Sequence, residues 1–135
     1  MNVSSTDTQT VTLEREFSYP PERLWRALTQ PDLIAQWLMK NDFQPRVDHD
    51  FQLTADWGSV DCRVTVVEPD SKLVYTWSAF GLESVVTWTL TPTSSGTLLR
   101  MEQTGFKADQ QQAYAGAKAG WPQFFARLET TLASI

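Results

Sequence analysis

The sequence ends in one helical segment that follows a long run of strand-like segments. Between about Asp50 and Gly105, short stretches of alternating apolar and polar residues are separated by turn residues. The segment from Ala108 to Ile135 instead carries apolar residues at helical spacings, namely Trp121, Phe124, Phe125, Leu128 and Leu132. These side chains form a broad face that must be buried, and only a sheet is large enough to cover it. The sequence therefore predicts a long helix lying across a sheet.

The strand-like run predicts an antiparallel meander, because no helical segment separates its strands. The predicted strands run from Phe51 to Trp57, Cys62 to Val66, Leu73 to Trp77, Val86 to Leu90 and Thr97 to Gln103. The turns between them fall at Gly58–Ser59, at 68–71, near Gly81 and at 93–96. With the first strand described below, we expect six or seven antiparallel strands in one sheet.

The N-terminal part predicts a strand followed by two short helices. Residues 1–9 are rich in Ser, Thr and Asp and predict a disordered tail, so the single domain spans residues 10–135. Apolar residues on a period of two predict a strand from Thr10 to Phe17. Pro21 and Pro31 are each followed by an acidic residue, a typical helix start. The fold class is therefore α+β, with two helices after the first strand.

Pro122 lies within the C-terminal helical segment and leaves two alternatives open. A proline inside a helix removes one hydrogen bond, at a cost of about 3 kcal/mol. Pro122 therefore either kinks a continuous helix or begins the main helix after a looser segment. With Gly116 and Gly120 nearby, this region is the predicted mobile element, suited to act as a lid or portal.

Composition excludes several classes of function. The net charge is −5 and the chain has no basic run, which argues against binding to nucleic acid or an anionic membrane. No apolar stretch approaches the roughly 20 residues that span a bilayer, and the polar N-terminus resembles neither a signal peptide nor an anchor. Cys62 is the only cysteine, which is typical of a reducing compartment. We therefore expect a cytoplasmic protein without membrane insertion.

The residues that usually carry chemistry are scarce. His49 is the only histidine and lies in an acidic loop, where an exposed structural role is expected. Asp48, Asp50, Asp56 and Asp61 lack calcium-loop spacing and predict a solvated acidic rim. Zinc would need three or four His or Cys ligands, and no glycine-rich phosphate loop precedes a helix. We therefore predict no catalytic residue, no metal and no cofactor.

Aromatic residues are abundant, with six Trp, seven Phe and three Tyr. Each could be ordinary core, but an aromatic lining with a few polar groups is typical of a small-molecule site. Gln103 and Tyr114 could supply the polar groups. The predicted ligand-binding residues are Trp37, Phe43, Phe51, Trp57, Tyr75, Trp77, Trp88, Gln103, Tyr114, Trp121, Phe124 and Phe125.

Three segments resemble one protein family. They are the helix pair around 21–25 and 31–37, the hairpin at 68–77, and the closing pattern of Gly96–Thr97, Gly105–Phe106 and Gly120–Trp121. In order and spacing, the chain resembles bacterial proteins similar to the ATPase activator of heat-shock protein 90. That family lies within the superfamily of START domains, birch-pollen-type allergens and polyketide cyclases. The resemblance implies a helix-grip fold, in which a curved antiparallel sheet wraps around the C-terminal helix and leaves an apolar cavity.

These observations favour an intracellular module that binds an apolar, aromatic or acyl, small molecule. The first alternative is a protein-interaction domain that acts on a heat-shock chaperone, as the resemblance implies. It requires an exposed patch that the sequence does not reveal. The second alternative is a cyclase- or hydratase-like enzyme that uses the same cavity, and the scarcity of titratable residues on the predicted inner face counts against it.

Overall fold

The computed structural model describes residues 8–135, which form one antiparallel sheet and three helices. The strands are β1 (Thr8–Phe17), β2 (Lys40–Asn41), β3 (Asp50–Ala55), β4 (Gly58–Glu68), β5 (Lys72–Ala79), β6 (Leu82–Pro92) and β7 (Thr97–Lys107). The helices are α1 (Pro21–Thr29), α2 (Pro31–Trp37) and α3 (Gln111–Ala133). Most of the predicted tail at 1–9 lies outside the described residues, and β1 begins at Thr8 rather than Thr10.

The sheet has the strand order β1-β7-β6-β5-β4-β3-β2, and all of its pairings are antiparallel. Side chains alternate between its two faces, so β6 buries Val86, Trp88 and Leu90 on the face that α3 covers. The curved sheet and the C-terminal helix confirm the predicted α+β helix-grip fold. The strand β2 is only two residues long and was not predicted.

The two short helices begin where the sequence predicts. Pro21 and Pro31 occupy the first turns of α1 and α2, where a missing backbone N–H has no cost. The indole Nε1 of Trp37 donates a hydrogen bond of 2.8 Å to the carbonyl of Ala27, which fixes α2 against α1. Both helices therefore pack as one unit beside α3.

The turn between β3 and β4 differs from the prediction. It consists of Asp56 and Trp57, because Ala55 pairs with Gly58 across the hairpin. The predicted turn at Gly58–Ser59 is therefore wrong, and Trp57 lies in the turn rather than in the strand. The observed register brings Asp50 opposite Arg63, whose guanidinium donates hydrogen bonds of 2.7 and 3.1 Å to that carboxylate. A turn two residues later would separate this pair.

Helix α3 settles the alternatives at Pro122. It runs without interruption from Gln111 to Ala133, so the proline lies inside the helix and does not begin it. Because proline has no N–H, the carbonyl of Lys118 lacks its usual partner four residues on. The buried residues Trp121, Phe125, Leu128 and Leu132 hold the C-terminal half of α3 against the sheet.

Among the described residues, no helix combines the length and apolar character that a membrane span requires.

Candidate functional site

A cavity of about 250 Å³ lies between the sheet and the N-terminal half of α3. Its walls are almost entirely apolar. It is lined by Met39, Trp57, Trp77, Leu82, Gln103, Phe106, Ala113, Gly116, Ala117, Gly120, Trp121 and Phe124. An apolar space with few polar groups is the usual form of a small-molecule site.

The cavity exists because the two halves of α3 differ in side-chain size. Ala113, Gly116, Ala117 and Gly120 line it at helical spacing and do not reach the sheet. A Cβ atom at Gly116 would meet no heavy atom within 4 Å, and one at Gly120 would meet only the Phe124 ring at 4.0 Å. In the next turns, large side chains fill the space against the sheet. Trp121 therefore forms the end wall of the cavity along α3.

Apart from indole N–H groups, Gln103 is the only polar side chain on the described cavity wall, and its amide orientation is fixed by its neighbours. The indole Nε1 of Trp121 donates a hydrogen bond of 2.8 Å to the Gln103 Oε1. The Gln103 Nε2 donates to the Ser84 hydroxyl at 3.0 Å, and this hydroxyl donates to the Trp77 carbonyl at 2.8 Å. Since an indole N–H can only donate, the amide oxygen must face Trp121.

This arrangement leaves one donor of Gln103 free. An amide nitrogen carries two hydrogens, and within residues 8–135 only Ser84 accepts one of them. The residue is 1% exposed, so bulk water does not readily satisfy the second N–H.

The described cavity wall carries no titratable side chain. Cys62 and Tyr75 are buried elsewhere in the core, and burial raises the pKa of the thiol and of the phenol far above their ordinary values. Both groups are therefore neutral at pH 7. Residues 8–135 also contain no group of three or more His, Cys, Asp or Glu side chains arranged to hold a metal ion.

The structure separates the predicted site residues into three groups. Trp57, Trp77, Gln103, Trp121 and Phe124 line the cavity. The second group is buried in the core and does not line it, namely Trp37, Phe43, Phe51, Tyr75, Trp88 and Phe125. These rings pack on one another, as Trp88 does on Trp37 at 5.6 Å and on Phe125 at 6.0 Å between ring centroids. Tyr114 forms the third group, half-buried against Phe106 and outside the lining.

Sequence reasoning missed several lining residues and misplaced one. Met39, Leu82 and Phe106 were not predicted, although Leu82 lies on the buried phase of β6. Phe106 is buried out of phase with the rest of β7, because Gly105 is an extra residue opposite Gln9 and Thr10. The small residues Ala113 and Ala117 could have been found from their spacing with Gly116 and Gly120. Trp57 reaches the cavity from a turn, not from the inner face of a strand as predicted. Its indole is 54% exposed and lies at the rim.

His49 and Cys62 were the other residues with possible chemistry. His49 is half-buried rather than fully exposed, because its ring stacks on Phe51 and its Nε2 lies 3.0 Å from the Asp42 carbonyl. Both contacts are structural. Cys62 is a free, buried thiol that packs as a small apolar side chain in the core.

An antiparallel sheet that wraps around a C-terminal helix and leaves an aromatic cavity between the two defines the helix-grip class of α+β proteins. Within this class, the chain belongs to the family described as Activator of Hsp90 ATPase homolog 1-like protein, whose model matches residues 18–133. The family predicted by resemblance is thereby confirmed.

Several solved structures share this fold. Protein MLL2253 from Mesorhizobium loti is 59% identical, with a TM-score of 0.91 over 93% of this chain and 98% of that chain. Protein BH1534 from Bacillus halodurans is 27% identical, with a TM-score of 0.81 over 92% and 96% of the two chains. DynU16, a putative protein in the dynemicin biosynthetic locus, is 28% identical, with a TM-score of 0.83 over 92% of this chain and 47% of that chain. No curated protein matches the chain in sequence.

Proposed function

We propose that the protein binds an apolar small molecule, aromatic or acyl, in the cavity between the sheet and α3. The observation that carries this proposal is an apolar cavity whose wall includes Gln103, one of whose amide hydrogens has no acceptor among residues 8–135. A ligand with apolar rings or chains and one acceptor oxygen would satisfy both features of the wall. The similarity to DynU16, a putative protein from a biosynthetic locus, supports a small-molecule ligand.

The expected affinity is moderate. Apolar burial contributes about 25 cal/mol per Å², but lost translational and rotational freedom offsets much of this gain. We therefore expect micromolar dissociation constants, which correspond to about −8 kcal/mol.

The free thiol of Cys62 supports the proposed cytoplasmic location, because thiols stay reduced there.

Binding can be tested with a panel of flavonoids, fatty acids and polyketide-like aromatic compounds followed by NMR. A ligand in the cavity should shift the amide resonances of Trp77 and Gln103 on the sheet and of Gly116 and Gly120 on α3. It should also change tryptophan fluorescence, because three indoles line the cavity. If no compound shifts resonances from both walls, the proposed site is wrong.

A matched pair of variants separates cavity binding from surface binding. Ala117 is half-buried on the cavity wall, so Ala117→Phe should fill the space and weaken binding at least about tenfold. Ala115 is exposed on the same helix and does not line the cavity, so Ala115→Phe should leave the affinity unchanged. Equal effects of the two substitutions would place the ligand elsewhere.

A protein-interaction domain is the second candidate function. It is favoured by one observation, the exposed aromatic pair formed by Trp57 and Phe80, which are 54% and 82% exposed. Such a pair is typical of contact surfaces. The cyclase- or hydratase-like alternative has no comparable support, since the described cavity wall has no acid or base.

A further inference from the structure

The inner cavity adjoins a larger groove that opens to solvent. The groove has a volume of about 570 Å³ and shares Trp57, Trp77, Leu82 and Ala113 with the cavity. Sites for small molecules usually measure about 300–1,000 Å³, so the inner cavity of about 250 Å³ is small for a complete ligand. A ligand bound there would therefore extend into the groove.

Phe80, on the rim of this groove, occupies an unfavourable position for its residue type. Phe80 and Gly81 form a two-residue turn between β5 and β6 with φ values of 52° and 82°, which corresponds to type I′. Asn, Asp or Gly normally takes the first position, because a bulky side chain is strained at positive φ. The Phe80 ring is also 82% exposed, so core packing does not compensate for this strain.

The ring is nevertheless held in a defined place. Its centroid lies 5.8 Å from that of Trp57, with 47° between the planes. It also packs on Gly58, where a Cβ atom would come within 3.2 Å of the Phe80 Cζ. The Gln110 Nε2 donates a hydrogen bond of 3.2 Å to the Gly81 carbonyl and so ties this turn to the start of α3. The aromatic pair is therefore pre-organised beside the groove.

We propose that Trp57 and Phe80 form an outer aromatic site that binds the part of the ligand extending beyond the inner cavity. This inference rests on the proposed function and specifies the ligand as an elongated, uncharged molecule with a flat ring at its outer end. The described groove lining has no charged side chain, and Gln110 and Gln112 are its only polar ones. Aromatic rings gain from offset or edge contacts with such a pair.

Two related probes test the proposal by calorimetry on the full chain. Acetophenone is a short aryl ketone that fits the inner cavity, and chalcone extends the same ketone with a second ring. Phe80→Asn removes the outer ring and places a residue that suits the turn, so folding is preserved. We expect this substitution to weaken chalcone binding about tenfold and to leave acetophenone binding unchanged.

Two controls make the result specific. Val47 is 49% exposed and lines neither space, so Val47→Asn should change neither affinity. Ala117→Phe should weaken both probes, because both would occupy the inner cavity. If chalcone binding is weakened by Ala117→Phe but not by Phe80→Asn, the outer site is wrong while the proposed function stands. The exposed pair of Trp57 and Phe80 would then favour the contact surface for a protein partner. If neither probe binds the unaltered protein, the proposed function and the outer site both fail.

Discussion

At the scale of single residues, the buried tryptophans show how polar groups are accommodated in this core. The indole N–H of Trp37 donates to a backbone carbonyl, and that of Trp88 donates to the Tyr75 hydroxyl. The indole N–H of Trp121 donates to the Gln103 amide oxygen. A buried N–H without an acceptor costs about 1–3 kcal/mol. Gln103 therefore has a structural role as the acceptor for Trp121, in addition to its proposed role towards a ligand.

Replacing Gln103 tests its structural role. Gln103→Met keeps a similar size but removes the acceptor of the Trp121 indole, so the free energy of unfolding should fall by about 1–3 kcal/mol. Urea denaturation measures this loss. In the Trp121→Phe background the same substitution should cost less, because no indole N–H is then left without a partner. Equal costs in the two backgrounds would show that the hydrogen bond contributes nothing.

At the scale of elements, α3 combines a half that packs on the sheet with a half that leaves space. Gly116 lowers the stability of an isolated helix by about 1 kcal/mol relative to alanine, yet no neighbour requires its small size. The C-terminal half instead anchors the helix through Trp121, Phe125 and Leu128, which are at most 2% exposed. The glycines of α3 thus cost helix stability and maintain the open cavity.

Gly116→Ala should therefore stabilise the protein by about 0.5–1 kcal/mol, measured by urea denaturation. The new Cβ meets no atom within 4 Å, so no clash offsets the gain in helix propensity. Gly105→Ala is the opposite case, because its φ is 113° and a Cβ would lie 2.8 Å from the Glu83 carbonyl oxygen. That substitution should destabilise. A loss of stability from Gly116→Ala would contradict this account of α3.

The elements themselves were largely predictable, because burial on one face imposes a period of two on strands and of three to four on helices. The alternation of Val86, Trp88 and Leu90 identifies the inner face of β6 directly. The register of the β3–β4 hairpin was not predictable, since a turn at 56–57 or at 58–59 leaves the same side chains facing inward. That ambiguity misplaced Trp57, and no local pattern reveals the two-residue strand β2.

The candidate site was less predictable than the sheet. Alternation tells which side chains face inward, but it does not tell which of them border empty space. Trp88 and Trp77 lie on inward phases of neighbouring strands, yet Trp88 is covered by Phe125 whereas Trp77 borders the cavity. The difference is set by the size of the opposing residues on α3, which depends on how helix and sheet are aligned. That alignment is a tertiary property.

At the scale of the whole molecule, two buried acidic groups link stability to alkaline pH. Burial raises the pKa of Cys62 above its ordinary 9.0 and that of Tyr75 above its ordinary 10.0, so both stay neutral in the folded state. The unfolded chain ionises first as pH rises, so this contribution is complete below pH 9 and is lost above it. We expect the free energy of unfolding to fall between pH 8 and pH 10.

The contribution of the thiol can be isolated. Cys62→Ala should lower stability at pH 8 through lost packing, but its stability should decline less between pH 8 and pH 10 than that of the unaltered protein. Urea denaturation at the two pH values measures both quantities. Identical declines would mean that the thiol ionises equally readily in the folded and unfolded chain.

The pairing of β1 with β7 has a consequence for how the chain reaches this structure. Strands β3 to β7 join their sequence neighbours through short hairpins, whereas β1 must find a partner from the opposite end of the chain. Contacts between distant segments slow folding, because closing the long intervening loop costs conformational entropy before the contacts compensate for it. During synthesis β1 is made before the other strands and has no pairing partner until β7 has been made. Helix α3 follows β7. The inner face of the growing meander therefore stays uncovered until α3 has been synthesised.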